Sequence, residues 1–352
     1  MNKERKIVTR GRRYRSIFRF FSKDMAMDLG TANTLIYMKG AGIVLNEPSV
    51  VAYDKRKDEV LAVGKEAKNY LGRTPENIAA IRPLKDGVIA DFIVTKTMIK
   101  EFFFKVQKIN PIFKPKVVIC VPAGITQVEK RAVLDAAEES GAGQVFLIEE
   151  PMAAAIGAGL DISVAKGQMV IDIGGGTTEV AVLSRSSVVN SATIRVAGDE
   201  INEEIVKFLL REKNLKVGEN SAEKCKIAIG SAYQVDGLSK YIISGKDMVE
   251  NRPKEVEVTP EEIRKAIREP VLAVVETIKR VLVKTEPNFI EDVKRDGIIM
   301  AGGGSLLQGL HLHIQEETGL QCRLTEDPLT TIVEGSGIVL ENLSSYQKVF
   351  IN

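Results

Sequence analysis

The chain has 352 residues, more than the roughly 100–200 of one ordinary domain, so two lobes are the first expectation. Hydrophobic residues make up 44% and charged residues 27%, which fits a soluble globular protein and excludes collagenous, disulfide-rich and globally disordered classes. The net charge of +2 hides an asymmetry. Residues 1–23 carry nine basic side chains against one acid, a local +8, and leave 40 basic and 46 acidic groups, or −6, on the rest. A basic arm on a mildly acidic body seeks anionic partners, lipid or nucleic acid.

Cys120, Cys225 and Cys322 are scattered and form no C-x-x-C pair, and His311 and His313 are the only histidines. That set argues for a reducing compartment and against a disulfide framework, a zinc site or a multi-histidine centre. No run of 18 or more apolar residues is present, and the N-terminus lacks the apolar core and cleavage site of a signal peptide. A cytoplasmic location is expected.

In chain order, the arm comes first. Wound as a helix, residues 12–23, RRYRSIFRFFSK, place Tyr14, Ile17, Phe18 and Phe21 within about 100° of one another. Arg12, Arg13, Arg15, Ser16, Arg19 and Lys23 fall on the other side, with Phe20 out of place. An arginine face opposite an aromatic face suits a helix lying in an anionic bilayer surface. A disordered basic tail or a nucleic-acid arm are the alternatives.

Beyond the arm, strand-like and helix-like segments alternate, which predicts an α/β architecture. Strands are expected at Met25–Met27, Leu35–Met38, Val117–Val121, Met169–Ile171, Val180–Leu183 and Gly297–Met300. Thr126 with Glu129 reads as a capping box, with Gly141 as the stop. Thr259-Pro260-Glu261-Glu262 is a second helix start, with proline at the first helical position.

An internal echo carries more information. MDLGTANTLIY (27–37) and IDIGGGTTEVAV (171–182) share a strand, an Asp, a glycine-rich turn, a hydroxyl residue and a second strand. Placing Asp28 on Asp172 also places Gly30 on Gly174 and Thr34 on Thr178, about 144 residues apart. Glycines let backbone N–H groups approach a phosphate, and threonine hydroxyls add donors. An Asp at each strand end repels phosphate directly, so its role is to hold Mg²⁺, usually through water. Either turn alone reads equally well as an ordinary hairpin, because short glycine motifs recur by chance. The matched pair is what predicts a shared cleft.

Two further segments feed that cleft. VFLIEEPMAAAIGAGL (145–160) runs from a strand through Glu149-Glu150-Pro151 into a helix of small residues able to pack closely on a neighbour. A carboxylate at that junction can polarise a water for attack on a γ-phosphate. An acid that simply starts a helix is the alternative, and it suits Glu149. IIMAGGGSLLQGL (298–310) is a buried strand ending in three glycines and then a helix, a flat backbone surface for a purine.

Together these elements resemble the actin, heat-shock chaperone and sugar-kinase superfamily, and within it the MreB family of bacterial actins. The supporting stretches are DLGTANT (28–34), AIRPLKDGVIAD (80–91), VPAGIT (121–126), LIEEPMAAAIGAGL (147–160), IDIGGGTTEVAV (171–182), RVAGDE (195–200), AEKCKIAIGSA (222–232), AGGGSLLQGL (301–310) and EDPL (326–329). The resemblance spans about residues 25–342. It implies an α/β actin-like fold of two lobes, each with a duplicated ribonuclease-H-like core, around a nucleotide cleft. Expected boundaries are a basic arm at 1–23, lobe I at 24–160 with a smaller subdomain at about 50–90, and lobe II at 161–335 with a smaller subdomain at about 200–260. Residues 336–352 are expected to return to lobe I.

The resemblance also implies site residues. Asp28, Thr31, Ala32 and Asn33 would form the first phosphate loop, and Asp172, Gly174, Gly175, Gly176 and Thr177 the second. Asp172 would sit near Mg²⁺, with Asp28 as a second candidate. Glu150 would activate the attacking water and Thr177 would help position it. Glu223 and Lys226 would hold ribose and adenine, although a helix-surface ion pair between them is the alternative. Gly302 and Gly303 would contact the nucleotide from the opposite side. Asn110-Pro111-Ile112-Phe113 is similar to a short apolar loop that some members insert into membrane, and a buried plug is its alternative.

The implied function is an ATP-dependent, filament-forming cytoskeletal ATPase that maintains cell shape, with ATP/ADP and Mg²⁺ as cofactors. Its expected partners are further copies of itself, an anionic membrane surface at the inner face of the cell, and other cytoskeletal or membrane proteins. Nucleic acid is not expected. A small-molecule kinase of the same fold is the alternative. NRPKEV (251–256), TEPNF (285–289) and Glu334 depart from the family wording and are expected on subunit contacts.

Overall fold

The computed structural model describes residues 23–57, 59–72, 75–107 and 112–351. The first half opens with β1 (Met25–Leu29), β2 (Asn33–Met38) and β3 (Gly42–Pro48). Short elements follow: β4 (Val51–Asp54), β5 (Glu59–Val63), α1 (Lys65–Lys68), β6 (Ile78–Ile81), β7 (Leu84–Lys85) and β8 (Val88–Ile89). It closes with α2 (Phe92–Val106), β9 (Lys116–Val121), α3 (Gln127–Glu139), β10 (Gln144–Glu149) and α4 (Glu150–Gly157).

The second half begins with β11 (Gln168–Ile173), β12 (Thr178–Ser184), β13 (Ser187–Ile194), α5 (Gly198–Lys213), β14 (Leu215–Lys216) and α6 (Glu219–Ile229). Next come β15 (Tyr241–Asp247), β16 (Pro253–Val258), α7 (Pro260–Ala266), α8 (Arg268–Lys284) and α9 (Pro287–Asp296). The last elements are β17 (Ile298–Ala301), α10 (Leu310–Thr318), β18 (Cys322–Leu324) and α11 (Thr331–Glu341).

Among the described residues the largest sheets are two of five strands, in the orders β3-β2-β1-β9-β10 and β13-β12-β11-β17-β18. In the first, β1, β2 and β3 run antiparallel while β9 and β10 join in parallel. The second repeats this with β11, β12, β13, β17 and β18. The echo of the two hairpins in the sequence is therefore an echo of whole sheets.

Strand periodicity decides which residues meet between the sheets. Side chains alternate faces along a strand. Met25 and Met27 of β1 enter the core of the first half, while Ala26 enters a middle core. Met169, Ile171 and Ile173 of β11 enter the core of the second half, while Val170 joins the same middle core. Val180 and Val182 of β12 likewise point away from it, and Ala181 and Leu183 point into it. Strands buried on both faces read as continuous apolar runs, as these do. Asp28, Asp172 and Glu179 share the parity of Ala26, Val170 and Ala181. The pleat thus turns all three acids toward the space between the sheets.

Helices α4 and α11 fill that middle core. They cross so closely that a Cβ on Gly335 would collide with the Ala153 carbonyl oxygen, and one on Gly157 with that of Thr331. The small residues of EEPMAAAIGAGL make this approach possible. Beyond α11 the chain returns to the first sheet, where Phe350 bridges to Ile148 and stacks 4.9 Å from Phe146.

Helix ends follow the local signals. The Thr126 hydroxyl accepts the Glu129 N–H, and the Glu129 carboxylate accepts the Thr126 N–H at 2.7 Å. Thr259 and Glu262 form the same reciprocal cap, with Pro260 at the first helical position. Two expectations shift. Gly297 is not a strand residue: its φ of +79° ends α9, and β17 starts at Ile298. The three glycines do not run straight into an α-helix, because Gly303–Leu306 form a 3-10 turn and α10 starts only at Leu310. Asn251, Arg252 and Lys254, among the segments that depart from the family wording, are exposed in the turn and strand after β15, and Glu334 is exposed on α11.

Gly335→Ala is expected to destabilise the chain by about 1–3 kcal/mol, since the added methyl meets a backbone carbonyl that cannot rotate away. Urea unfolding measures it, and a loss below about 0.5 kcal/mol, the scale of ordinary surface changes, would show that the helix crossing relaxes freely.

Candidate nucleotide site

The two hairpin turns face each other across the gap between the halves. A Cβ on Gly175 would lie 2.6 Å from Ala32 Cβ, and one on Gly176 would lie 3.0 Å from Thr31 Cγ2. Only glycine permits this approach. Gly87, in the turn between β7 and β8, donates its N–H to Thr31 Oγ1 at 3.0 Å and steadies the first turn.

These turns form one end of a cavity of about 440 Å³. Its walls include Asp28, Thr31, Ala32 and Asn33 from the first half, and Asp172, Gly174, Gly175, Gly176 and Thr177 from the second. Glu150, Glu223, Lys226, Gly302 and Gly303 complete the set predicted from sequence, all lining the same space. Sequence reasoning missed the apolar wall of Ile227, Leu306, Pro328 and Leu329, whose spacing carries no periodic signal.

Glu150 and Asp172 are deeply buried, and Asp28 is partly buried. Glu150, first residue of α4, is 6% exposed and Asp172 is 2% exposed, whereas Glu149 is only half-buried. Burial pushes Asp28 up to about 7 from 3.8. Burial and then the Asp28 charge push Asp172 to about 7. Glu150 rises well above the carboxylate range, through burial first and then Glu179, Asp172 and Asp28. One oxygen of Asp172, Oδ1, is buried without a hydrogen-bond partner. Hard oxygen donors, one of them orphaned, suit a divalent cation such as Mg²⁺. Among the described residues no cluster of three or more ligating side chains converges to chelate a metal unaided. A cation here would complete its shell with water and ligand oxygens.

Glu223 and Lys226 line the same cavity but do not pair with each other. Lys226 Nζ donates to the Gly198 carbonyl at 2.9 Å, and burial lowers its pKa. Glu223 instead meets Lys68 of α1 at 3.3 Å, across the cleft. Arg82 reaches Asp199 at 3.1 Å and Glu219 at 2.7 Å, and Arg195 lies 3.7 Å from Asp86. These ion pairs tie the halves at the cleft mouth.

The membrane candidates fare differently. Tyr14, Ile17, Phe18 and Phe21 lie outside the described residues, as do Asn110 and Pro111. Ile112 is 81% exposed and Phe113 45% exposed, so a buried plug is not what these residues form. Among the described residues no helix is long and apolar enough to cross a membrane.

A doubled sheet with one glycine turn from each half over a shared cleft defines an actin-like fold. The MreB/Mbl protein family profile matches residues 22–348. The cell shape-determining protein MreB of Escherichia coli (strain K12) is 48% identical over 332 residues, 93% of this chain and 95% of that protein. The cell shape-determining protein Mbl of Bacillus subtilis (strain 168) is 46% identical over 328 residues, 93% of this chain and 98% of its own. Among solved structures, MreB5 of Spiroplasma citri bound to AMPPNP superimposes with a TM-score of 0.88 at 34% identity, covering 92% of this chain and 97% of that chain. The chain belongs to the MreB/Mbl family.

The raised carboxylates give a sign to the pH dependence. Between about 3.8 and about 7 the folded chain keeps protons on Asp28 and Asp172 that the unfolded chain has released. Their contribution to stability therefore falls as pH rises through that window. Asp172→Asn is expected to stabilise the ligand-free chain by about 1–3 kcal/mol at pH near 8, and to change little near pH 4. Denaturant titration at the two pH values measures this, and an equal effect at both would contradict the assignment.

Proposed function

We propose that the chain binds ATP with Mg²⁺ between its halves, hydrolyses it slowly to ADP and phosphate, and uses that cycle to time the assembly of filaments at the inner face of the membrane. The observation that carries this reading is the convergence on one cavity of both glycine turns, a buried glutamate at a helix start and the Glu223–Lys226 face of α6. Structures of Spiroplasma citri MreB5 bound to AMPPNP and to ADP support a nucleotide as the occupant. Family membership favours the filament over a small-molecule kinase.

In this reading the N–H groups of residues 31–33 and 174–177 cradle the phosphates, with the Thr31 and Thr177 hydroxyls beside them. Asp172, with Asp28 as a second candidate, would hold Mg²⁺, which when bound would neutralise charge developing on the transferred phosphoryl group. Glu150 orients and deprotonates the attacking water, and Thr177 fixes its position. Burial first, and then Glu179, Asp172 and Asp28, keep Glu150 protonated and a poor base; a bound cation would oppose the second of these effects. Base strength would thus be linked to loading of the site. Glu223 and Lys226 hold ribose and adenine, Gly302 and Gly303 close the far side, and Leu306 and Leu329 flank the base.

The lobes are assigned to residues 24–160 and 161–335, with smaller subdomains near 50–90 and 200–260 and a return at 336–352. Helix α11 straddles the last boundary and joins the two. Membrane contact is assigned to the basic arm, through Tyr14, Ile17, Phe18 and Phe21, with Ile112 and Phe113.

Negative-stain microscopy and phosphate release, with and without ATP and Mg²⁺, test the central claim. Filaments are expected only with both, and Glu150→Ala should slow phosphate release by about 10²–10⁴-fold while nucleotide binding persists. A chain that stays monomeric across salts and nucleotides sinks the filament reading, and a dead Glu149→Ala beside an active Glu150→Ala reverses the catalytic assignment.

Co-sedimentation with anionic vesicles tests the membrane claim on the full chain, a chain lacking residues 1–23, and Ile112→Ser/Phe113→Ser. Each basic residue near the surface adds on the order of 1 kcal/mol, and the aromatic face about 25 cal/mol per Å². Both altered chains should bind more weakly, and binding by the full chain should fade in part as salt rises. Equal binding by all three would overturn the assignment.

A further inference from the structure

One buried acid has no part in the chemistry assigned above. Glu179 sits on β12, 1% exposed, and is not among the residues that line the nucleotide cavity. Its cross-strand neighbours are Asp172 on β11 and Thr193 on β13. Its carboxylate leaves its own sheet. Both oxygens accept the Ala123 N–H, each at 3.2 Å, and Oε1 also accepts the Thr193 hydroxyl at 3.3 Å. Ala123 belongs to the first half, in the turn between β9 and α3.

The position of that hydrogen bond gives it leverage. β9 and β10 are parallel neighbours, with Glu149 beside Val121, so Ala123 and Glu150 emerge at the same end of the same sheet. On the other side, Thr177 precedes Glu179 by two residues on the same chain segment. One carboxylate therefore joins the strand end beside Glu150 to the strand start beside Thr177. A Cβ on Gly87 would press on both Pro122 and Thr177, at 2.7 and 3.2 Å, so little slack remains around the link. Unlike the half-exposed ion pairs at the mouth, this contact is sheltered from water and depends on geometry.

We propose that Glu179 is a positioning residue for hydrolysis: by accepting the Ala123 N–H from across the cleft, it holds Glu150 and Thr177 at one spacing when the halves close. This rests on the proposed ATPase reading. Glu179 does not touch the reacting atoms; it sets the distance between two groups that do. A displacement of about 1 Å in such a pair costs up to about 10²-fold in rate with little effect on ground-state binding.

The test uses the full chain, with ATP and Mg²⁺, in steady-state phosphate release and in calorimetric nucleotide binding. Glu179→Leu, which keeps bulk and loses the acceptor, should lower kcat by about 10- to 100-fold with Kd changed less than about 3-fold. Glu179→Gln, which retains a carbonyl acceptor for the same N–H, should recover most of the rate. In a Glu150→Ala background Glu179→Leu should add almost nothing, because residues acting through one another are not additive. If Glu179→Leu does not fold, Ala123→Pro removes the same donor from the other side and is expected to behave alike. A Leu variant as fast as the parent, a Gln variant as slow as the Leu variant, or full additivity with Glu150→Ala would each overturn the proposal. A parent chain without ATP turnover would instead overturn the ATPase reading itself.

Discussion

Like charges gathered at the edge of an apolar core set the terms for the rest of this molecule. Asp28, Asp172 and Glu179 are turned into the space between the sheets by strand alternation, and Glu150 enters it from the first turn of α4. Among the described residues none of the four forms an ion pair with a lysine or arginine. Burying several ionised carboxylates together costs several kcal/mol per group, so without a cation they retain protons. Burial raises Asp28 to about 7, and burial first and then a neighbouring carboxylate raise Asp172 to about 7 and Glu179 to about 8. In the proposed reading, a cation entering with its ligand would offset part of this cost and release protons, so that loading of the site and closure of the cleft would be linked.

The two ends of the cleft differ in stiffness, and magnitudes show why. At the closed end, α4 and α11 interdigitate through glycines with no room for a methyl group, in a core that is fully buried. At the mouth, the halves are tied by Lys68–Glu223, Arg82–Asp199, Arg82–Glu219 and Arg195–Asp86. The side chains of Lys68 and Glu223 are each 38% exposed, and an ion pair so hydrated contributes about 0–1 kcal/mol. Several such pairs favour closure without locking it. The molecule has a rigid back and a lightly held front, which is what a site that must admit and release a ligand requires.

What could be read from the sequence was what is encoded locally. The two glycine turns, the reciprocal caps at Thr126 and Thr259, and the apolar strands all express themselves within a dozen residues. The family resemblance then supplied residues such as Glu223 and Gly302 that spacing alone could not. Three features stayed hidden because they depend on distant partners. Glu179 lies in TTEVAV, where alternation suggests a solvent-facing acid; only the second sheet makes it interior. The partners of Lys68 and Arg82 lie more than 100 residues away. The Gly302–Gly304 turn looked like a direct strand-to-helix junction because sequence does not show that Gly302 adopts a φ of +79° and starts a 3-10 turn.

Duplication explains the frame of the site but not its chemistry, and the difference can be followed pair by pair. Asp28 and Asp172 are equivalent, and both face the cleft. Thr34 and Thr178 are equivalent and fully buried, yet Thr34 bonds Ser49 while Thr178 donates to the Val196 carbonyl. One step along, the symmetry fails. The counterpart of Glu179 is Leu35, buried at 5% and lining the cavity as an apolar wall. A leucine cannot accept an N–H from the opposite half, so only the second hairpin can make a polar bond across the cleft at this position. Glu150, placed at the end of the first sheet, lies within reach of that hairpin's charges. The two halves thus contribute similar turns, while the polar bond across the cleft at this position is made from one side alone, where Glu179 accepts the Ala123 N–H.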